Sequence, residues 1–522
     1  MTQQNLNPNI ISNNSGYSQS LWMEVEVPSF PMLDSNAEVD VCIVGAGIVG
    51  LTCAYTLAKQ GKSVIVIDQG AVCGGQTART TGHLTWVLDD RYYEVEKLFG
   101  EEGARLAAES HSYAIDHIEK IILEEQIDCD FERVDGFLFV APGDSQEILE
   151  KEYACIKKME KGINKALRAP MSSTFDTGPC LHYPRQAQFH ILKYLLGLIK
   201  AIQKYNGKIF CNTHANHFEE DSSGFSCLVS TQSGAKITSH SVIVATCTPI
   251  NDRFYIHSKQ APYRTYVIAA SIPKDSVPKG LYWDTADPYH YIRIQKHLSD
   301  PTLDWLIIGG DDHKTGQEPE DNAPYDSLER WTKNRFSMVN KVEHRWSGQV
   351  FDPFDSLAFI GKNPGSQNTY IATGDYGNGM THGTIAGILI PDLILGNSNP
   401  WKDLYEPSRK TLSAALNYIQ ENLNVAEQYV DWLTPGEQKQ IEMIGVEEGI
   451  ILRQGLKKVA VYKDNQNKIN VSSAICPHLG ACVRWNAEEK SWDCPCHGSR
   501  FNGCGKVLNG PSIQDLKQSK IN

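Results

Sequence analysis

The stretch Val39-Asp40-Val41-Cys42-Ile43-Val44-Gly45-Ala46-Gly47-Ile48-Val49-Gly50 decides how this chain folds. A short, mostly apolar run, Val39 to Val44, meets a glycine-rich turn and then a segment of helical composition, Ile48 to Lys59. A second apolar run, Ser63 to Asp68, follows. That order is a βαβ unit, which implies a parallel sheet with crossover helices. The G-x-G-x-x-G spacing is weak alone, but between a strand and a helix it marks a dinucleotide site. Gly45 permits the tight turn, Gly47 lets the backbone approach a pyrophosphate, and Gly50 lets helix and strand pack closely. The helix N-terminus offers free N–H groups and partial positive charge to phosphates. Asp68, followed by Gln69, ends the second strand where a carboxylate can accept hydrogen bonds from ribose hydroxyls.

Outward from this unit, residues 1–36 read as a flexible arm with an extended lead-in, and 37–433 as one large unit. Tyr92 to Glu125 has the pattern of one or two amphipathic helices. Strand-like runs follow at Gly136–Ala141, Ser241–Thr246, Tyr263–Ser271, Tyr289–Ile294, Trp305–Gly309 and Tyr370–Thr373. Thr384–Leu395 and Ser408–Leu433 read as helices, and Thr434-Pro435-Gly436 as a boundary. Beyond it, residues 437–522 hold only short strands and turns, with candidates at Gly449–Leu452, Lys458–Tyr462 and Lys468–Ile475.

The 522 residues exceed what one hydrophobic core organises. A hydrophobic share of 41% and a charged share of 21% describe a folded rather than a disordered chain. The net charge of −13 argues against nucleic acid or anionic lipid as partners. No secretory leader is evident, and no run of about 18 apolar residues could span a membrane. Of 14 cysteines, nine are scattered from Cys42 to Cys247, as buried reduced thiols would be, and the cytoplasm is the expected location. The other five crowd between Cys476 and Cys504, which points to metal.

Three further segments resemble the flavin-contacting loops of the D-amino-acid oxidase (glycine oxidase-like) superfamily. They are Gly74-Gly75-Gln76-Thr77-Ala78-Arg79-Thr80-Thr81-Gly82-His83, Asp355 to Gly361, and Gly374-Asp375-Tyr376-Gly377-Asn378-Gly379-Met380-Thr381-His382-Gly383. The resemblance covers roughly residues 38 to 400. It implies an α/β FAD-binding Rossmann-like domain interleaved with a substrate domain (α+β) on an antiparallel sheet. It also implies flavin contacts from Gln69, Arg79, Thr80, Thr81, Gly82, Gly374, Asp375, Gly377, Gly379, Met380 and Thr381. The family usually has Glu where Asp68 stands. Relatives with covalent flavin often carry histidine in the second loop, where Arg79 stands, so FAD is expected to be non-covalent. Tyr289-His290-Tyr291-Ile292-Arg293 falls where relatives place substrate-facing residues. Tyr291 and Arg293, the latter as a carboxylate clamp or a structural ion pair, are thus candidates. His382, beside the third loop, is a candidate to face the isoalloxazine or a structural histidine.

Cys476-Pro477-His478, fifteen residues, then Cys494-Pro495-Cys496-His497 resembles the signature of the Rieske family. The implied ligands of a [2Fe–2S] cluster are Cys476 and Cys494 on one iron and His478 and His497 on the other. The resemblance covers about residues 437 to 520 and implies a small all-β domain. The competing reading is a tetrahedral zinc, although zinc fingers carry a Cys pair before a His pair rather than two mixed pairs. Gly480 and Gly498 suit the two loops. Cys482 and Cys496 could form the disulfide of respiratory relatives, yet Cys482 lies one place later than that pattern. Ser499 stands where high-potential relatives donate to a sulfide, and Phe501 replaces their tyrosine, so a mid-range potential is expected.

The whole chain resembles bacterial fusions of these two modules. The first functional reading is a dehydrogenase that oxidises an amine or amino acid at a C–N bond. Its electrons would pass singly through the cluster to an external partner protein. The alternatives are an oxidase using O₂ with a structural or sensing Rieske domain, an electron relay between proteins, and a flavin hydroxylase or reductase fed through the cluster.

Overall fold

In the computed structural model, which describes residues 15–171, 174–221, 224–252, 254–317, 323–429, 441–455 and 457–521, the deciding stretch forms the expected unit. Strand β1 spans Ala37–Val44, helix α1 spans Ile48–Lys59, and strand β2 spans Val64–Ile67. β1 and β2 are parallel, with Val41 opposite Val64. On its other edge β1 pairs in parallel with Lys236–Val244, which pairs in parallel with Thr369–Thr373. The apolar residues of these strands are buried on both faces, as a parallel sheet requires. The C-terminal ends of Ala37–Val44, Lys236–Val244 and Thr369–Thr373 lie on one side. There the turn after β1, residues Thr246–Cys247 and the Gly374 loop meet, which is where such sheets bind ligands.

A second sheet stands beside the first. Strands His344–Pro353, Gln260–Pro273, Leu303–Lys314, Tyr291–Lys296 and Leu281–Trp283 run antiparallel in that order. One pairing departs from the expected pattern, since Leu281–Trp283 runs parallel to Glu132–Phe139. Helix α2, Tyr92–Glu125, is two helices joined at Gly100 (φ 75°), and buries Ala104, Ala107, Ala108, Ile115 and Ile118 at helical spacing. Residues 441–521 form two small antiparallel sheets, one from Glu448–Gln454, Lys457–Lys463 and Ile469–Ser473, the other from four three-residue strands. Helix Ala415–Glu427 precedes them, and the expected boundary at Thr434-Pro435-Gly436 lies outside the described residues. Among the described residues no helix is long and apolar enough to cross a membrane.

The reading of residues 1–36 as a flexible arm needs correction from Ser15 onward. Leu21, Trp22 and Met23 are buried in the main core, an apolar anchor inside an otherwise polar stretch. Trp22 Nε1 donates to Thr80 O (2.6 Å), Ser20 Oγ to Ala78 O (2.6 Å) and Ser15 Oγ to Gly74 O (2.9 Å). The segment therefore laces down the loop Gly74–Gly82.

The same segment seals a junction with the C-terminal domain. Glu489 is fully buried and accepts from Tyr17 N (2.9 Å) and from the hydroxyls of Ser18 and Ser347. Arg79, Arg500 and Arg264 surround it at 3.6, 3.7 and 3.9 Å, all with fully buried side chains. Asp493 pairs with Arg500 at 3.1 Å and Arg264 at 3.8 Å. Burial alone would raise the Glu489 carboxyl, but the three guanidiniums outweigh it and hold it far below the usual carboxylate range.

Removing one partner of such a network leaves uncompensated buried charge, at a cost of about 3–5 kcal/mol. Glu489→Gln is expected to lower the thermal unfolding midpoint and to expose the domain junction to limited proteolysis. Because the folded carboxyl titrates below its unfolded value, its stabilisation is present above about pH 4 and fades as pH falls further. The same protease assay run from pH 7 to pH 3 checks this.

Candidate cofactor cavity and metal centre

A cavity of about 650 Å³ runs from the β1 turn to the second sheet. Its nucleotide end is built by the βαβ unit. Gly45 has φ +112°, and a Cβ on Gly50 would lie 1.9 Å from Gly45 O, so α1 can only seat here on glycine. No acidic residue stands in the first turn of α1, which leaves its positive end for phosphate. Asp68 is fixed by Ala46 N (2.8 Å) and Gly70 N (2.9 Å). Burial, opposed by these two bonds, pushes its carboxyl up.

Gly45, Gly47, Asp68 and Gln69 line the cavity, as do Arg79, Thr80 and Thr81 from the second loop. From the third come Asp375, Gly377, Gly379 and Met380. The remaining expected contacts act one layer behind. Gly374 packs on Pro353, where a Cβ would approach to 2.5 Å. Thr381 Oγ1 bonds His111 Nδ1 (2.7 Å), and Gly82 presents its carbonyl to Arg293 Nη1 (2.7 Å). A glycine cradle, an unopposed helix N-terminus and an anchored carboxylate fit a dinucleotide.

Of the candidate substrate residues, two face the cavity and one does not. Tyr291 lines it, with its hydroxyl on Thr265 Oγ1 (2.6 Å) and its ring against His83 (5.8 Å between centroids). His382 lines it too, held by Asp375 O (2.9 Å) and His111 Nε2 (3.2 Å), and burial lowers it to about 4, so it is neutral. Arg293 is corrected on both expectations. It is fully buried, turned away from the cavity, and donates to the carbonyls of Thr81 (2.8 Å), Gly82 (2.7 Å) and Phe189 (3.2 Å). Its guanidinium holds the flavin loop in shape, because those carbonyls would otherwise be buried without donors.

Sequence reasoning named Asp375 but missed four further carboxylates at this end. Asp89, Asp90, Asp312, Asp352 and Asp375 all line the cavity. Burial, reinforced by their mutual repulsion, drives Asp89 and Asp312 up to about 7 and Asp352 well above its usual range. Burial alone takes Asp375 up to about 6. Asp89 Oδ2 accepts from Tyr289 OH (2.8 Å). Asp89 and Asp90 come from the turn before α2, Asp312 and Asp352 from two strands of the second sheet and Asp375 from the third loop, so no single spacing announces the set.

The C-terminal domain supplies part of the cavity wall, which was also unforeseen. Leu508, Asn509, Gly510, Ser512 and Ile513 line the nucleotide end. Gln69 Nε2 donates to Leu508 O (3.1 Å) and Gln76 Nε2 to Asn509 Oδ1 (3.2 Å).

The two Cys/His motifs form matching loops. Gly480 N donates to Cys476 O (3.0 Å), and Gly498 N to Cys494 O (3.1 Å). The Cys476 and Cys494 thiols lie within hydrogen-bond reach of each other, and the rings of His478 and His497 are 5.0 Å apart at 88°. Among the described residues no three Cys, His, Asp or Glu side chains converge as for a single ion. A thiol pair beside an imidazole pair instead suits two irons, and fits the [2Fe–2S] reading rather than tetrahedral zinc. Ser499 hydrogen-bonds Cys476, and Phe501 is buried with no hydroxyl to offer. No disulfide joins Cys482 to Cys496, and their thiols are directed to the carbonyls of Val483 and Val425.

Residues 40–393 match the model of the FAD-dependent oxidoreductase (DAO) family, and residues 424–520 that of the Rieske [2Fe-2S] domain. The chain belongs to the DAO family of FAD-dependent oxidoreductases. It is thus an enzyme that binds FAD, with a Rieske domain and its [2Fe–2S] cluster at the C-terminal end. YhfW of Bacillus subtilis, named as a Rieske 2Fe-2S iron-sulfur protein, is 32% identical over 498 residues, 94% of this chain and 96% of that one. Gamma-glutamylputrescine oxidoreductase of Escherichia coli is 25% identical over 71% of this chain and 86% of its own. Glycine oxidase of Geobacillus kaustophilus shares the fold, with a TM-score of 0.60 over 72% of this chain and all of that one, at 16% identity.

Because the Rieske domain walls the nucleotide end, its removal opens that end to water. A chain ending at residue 429 is expected to bind FAD at least tenfold more weakly than the full chain. Asn509→Ala is expected to show a smaller loss. Fluorescence titration of the apoproteins with FAD measures both.

Proposed function

We propose that this enzyme oxidises a cationic amine at a C–N bond and sends the electrons singly through its cluster to an external one-electron acceptor protein. The observation that carries the substrate class is the carboxylate-lined end of the cavity, Asp89, Asp90, Asp312 and Asp352, together with the absence of Arg293 from it. A free amino acid needs a cation for its carboxylate, whereas the arginine beside these aspartates, Arg91, donates to the carbonyls of Leu88 (3.5 Å) and Asp284 (3.4 Å) and is outnumbered by the carboxyls around it. The name of the E. coli relative, an oxidoreductase of gamma-glutamylputrescine, agrees with a primary amine at the reacting end, although that compound also carries a glutamyl carboxylate.

Bound FAD supplies a two-electron acceptor for hydride, and the cluster a one-electron carrier. The residues do the rest. Asp89 and Asp312 hold the ammonium, and a buried carboxyl titrating near 7 can take the proton that must leave nitrogen before the adjacent carbon gives up hydride. Tyr289 and Tyr291, fixed by Asp89 and Thr265, form the aromatic wall. The imine product takes up water to give a carbonyl compound and ammonia or a smaller amine. Retention of FAD without a covalent bond fits Arg79, the residue in the histidine position, being occupied by Glu489, Ser15 and Ser18. No disulfide joins any of the fourteen cysteines, which suits a reducing compartment such as the cytoplasm.

A screen of mono-, di- and polyamines against amino acids, read as bleaching of the flavin band without O₂, tests the class. Bleaching by amines alone supports it, and bleaching by amino acids alone refutes it. Asp312→Asn is expected to raise KM for the amine about 10–100-fold, the scale of one lost buried charge contact. Since Asp89 and Asp312 ionise near pH 7, KM is expected to fall about tenfold from pH 6 to pH 8 in the parent and much less in the variant.

A further inference from the structure

The histidine edge of the cluster site is covered by the flavoenzyme domain. His478 and His497 are only 8% and 6% exposed. Over them lies His257, from a short turn next to strand Gln260–Pro273, with ring centroids 5.0 Å from His478 and 6.1 Å from His497. Both contacts are edge-on, at 79° and 70°. His257 is not placed by chance packing. Its Nδ1 meets Thr248 Oγ1 (3.3 Å) and its Nε2 meets Asp252 O (3.0 Å), so both ring nitrogens are held from the flavoenzyme side.

Behind His257 the contacts continue to the cavity. Gln260 Nε2 lies 3.5 Å from Thr248 Oγ1 and donates to Thr373 Oγ1 (3.1 Å), and Thr373 lines the cavity. A second link runs alongside. Gln349, also in the cavity wall, donates through Nε2 to Gly498 O (2.8 Å), one residue from His497. Gly498 makes this possible, since a Cβ there would stand 2.2 Å from Gln349 Nε2 and 2.7 Å from Pro262 Cβ. The two domains thus meet, by packed side chains and hydrogen bonds, between the cavity wall and the histidine edge of the cluster site.

We propose that His257 is the positioning residue for internal electron transfer, and that the Rieske domain works docked in this arrangement rather than by swinging. Across the contact one electron passes at a time, lost by the reduced flavin and gained by one ferric ion of the cluster. No bond forms or breaks at His257. The proposal uses the FAD and cluster sites alone and does not depend on the substrate class.

Flash photoreduction of the flavin in the holoenzyme by an external deazaflavin donor, with cluster reduction followed optically, tests it without substrate. In His257→Ala the internal transfer is expected to slow at least tenfold, with FAD and iron content unchanged. His257→Phe, which keeps an aromatic edge, is expected to stay within about threefold of the parent. The reduced-cluster EPR g values are expected to shift in His257→Ala, because the ring packs on both ligand imidazoles. The parent rate is expected to be independent of added glycerol. An unchanged rate in His257→Ala, or a parent rate that falls in proportion to viscosity, overturns the proposal.

Discussion

Glu489, fully buried among three arginines, is the constraint on which the rest of this molecule depends. It stands in the Rieske domain, yet its partners come from the flavin loop (Arg79), the second sheet (Arg264) and its own domain (Arg500). A buried carboxylate amid guanidiniums tolerates neither water nor a missing partner, so the two domains hold one relative position. Domains joined by a polar linker ordinarily move against one another unless their interface forbids it. Here the charged junction, the segment Ser15–Met23 and the Leu508–Ile513 wall act together to forbid it.

That fixed docking changes what each cofactor site is. The nucleotide end of the flavin cavity is completed by a Rieske loop, and the histidine edge of the cluster site is completed by His257. Each domain finishes the other's site, so the fusion is more than a tether that raises local concentration. An outside electron partner cannot meet His478 or His497 directly while the domains are docked, because the flavoenzyme surface already occupies that edge.

The parts legible in the sequence were those that chemistry writes locally. The glycine turn after β1, the loops at Gly74 and Gly374, and the paired Cys/His motifs each need fixed residue types at fixed spacing; the turn opens α1, the loops border the cavity, and the motifs bring His478 beside His497. What stayed hidden depends on residues far apart in the chain. Ser15 to Arg500 and Glu489 to Arg79 are contacts across more than 400 residues, with no periodicity to betray them. Arg293 shows the opposite failure. Its position in the strand was read correctly, but its guanidinium answers the nearer demand of three buried carbonyls rather than that of a ligand.

The acidic balance of the chain makes the same point about charge. A net charge of −13 reads from sequence as a solvated surface. Yet Asp89, Asp312, Asp352 and Asp375 sit together inside a cavity, where burial raises all four. Folding such carboxylates into a shared pocket opposes stability at neutral pH, since each must either take up a proton or repel its neighbours. A fold gains nothing structural from that arrangement, because apolar residues would fill the space at lower cost. The cationic substrate proposed above would relieve that repulsion and restore the ionised forms, so the repulsion would become affinity for a ligand of opposite charge. What matters for function is thus which few of the 62 acidic residues the fold gathers, rather than their excess.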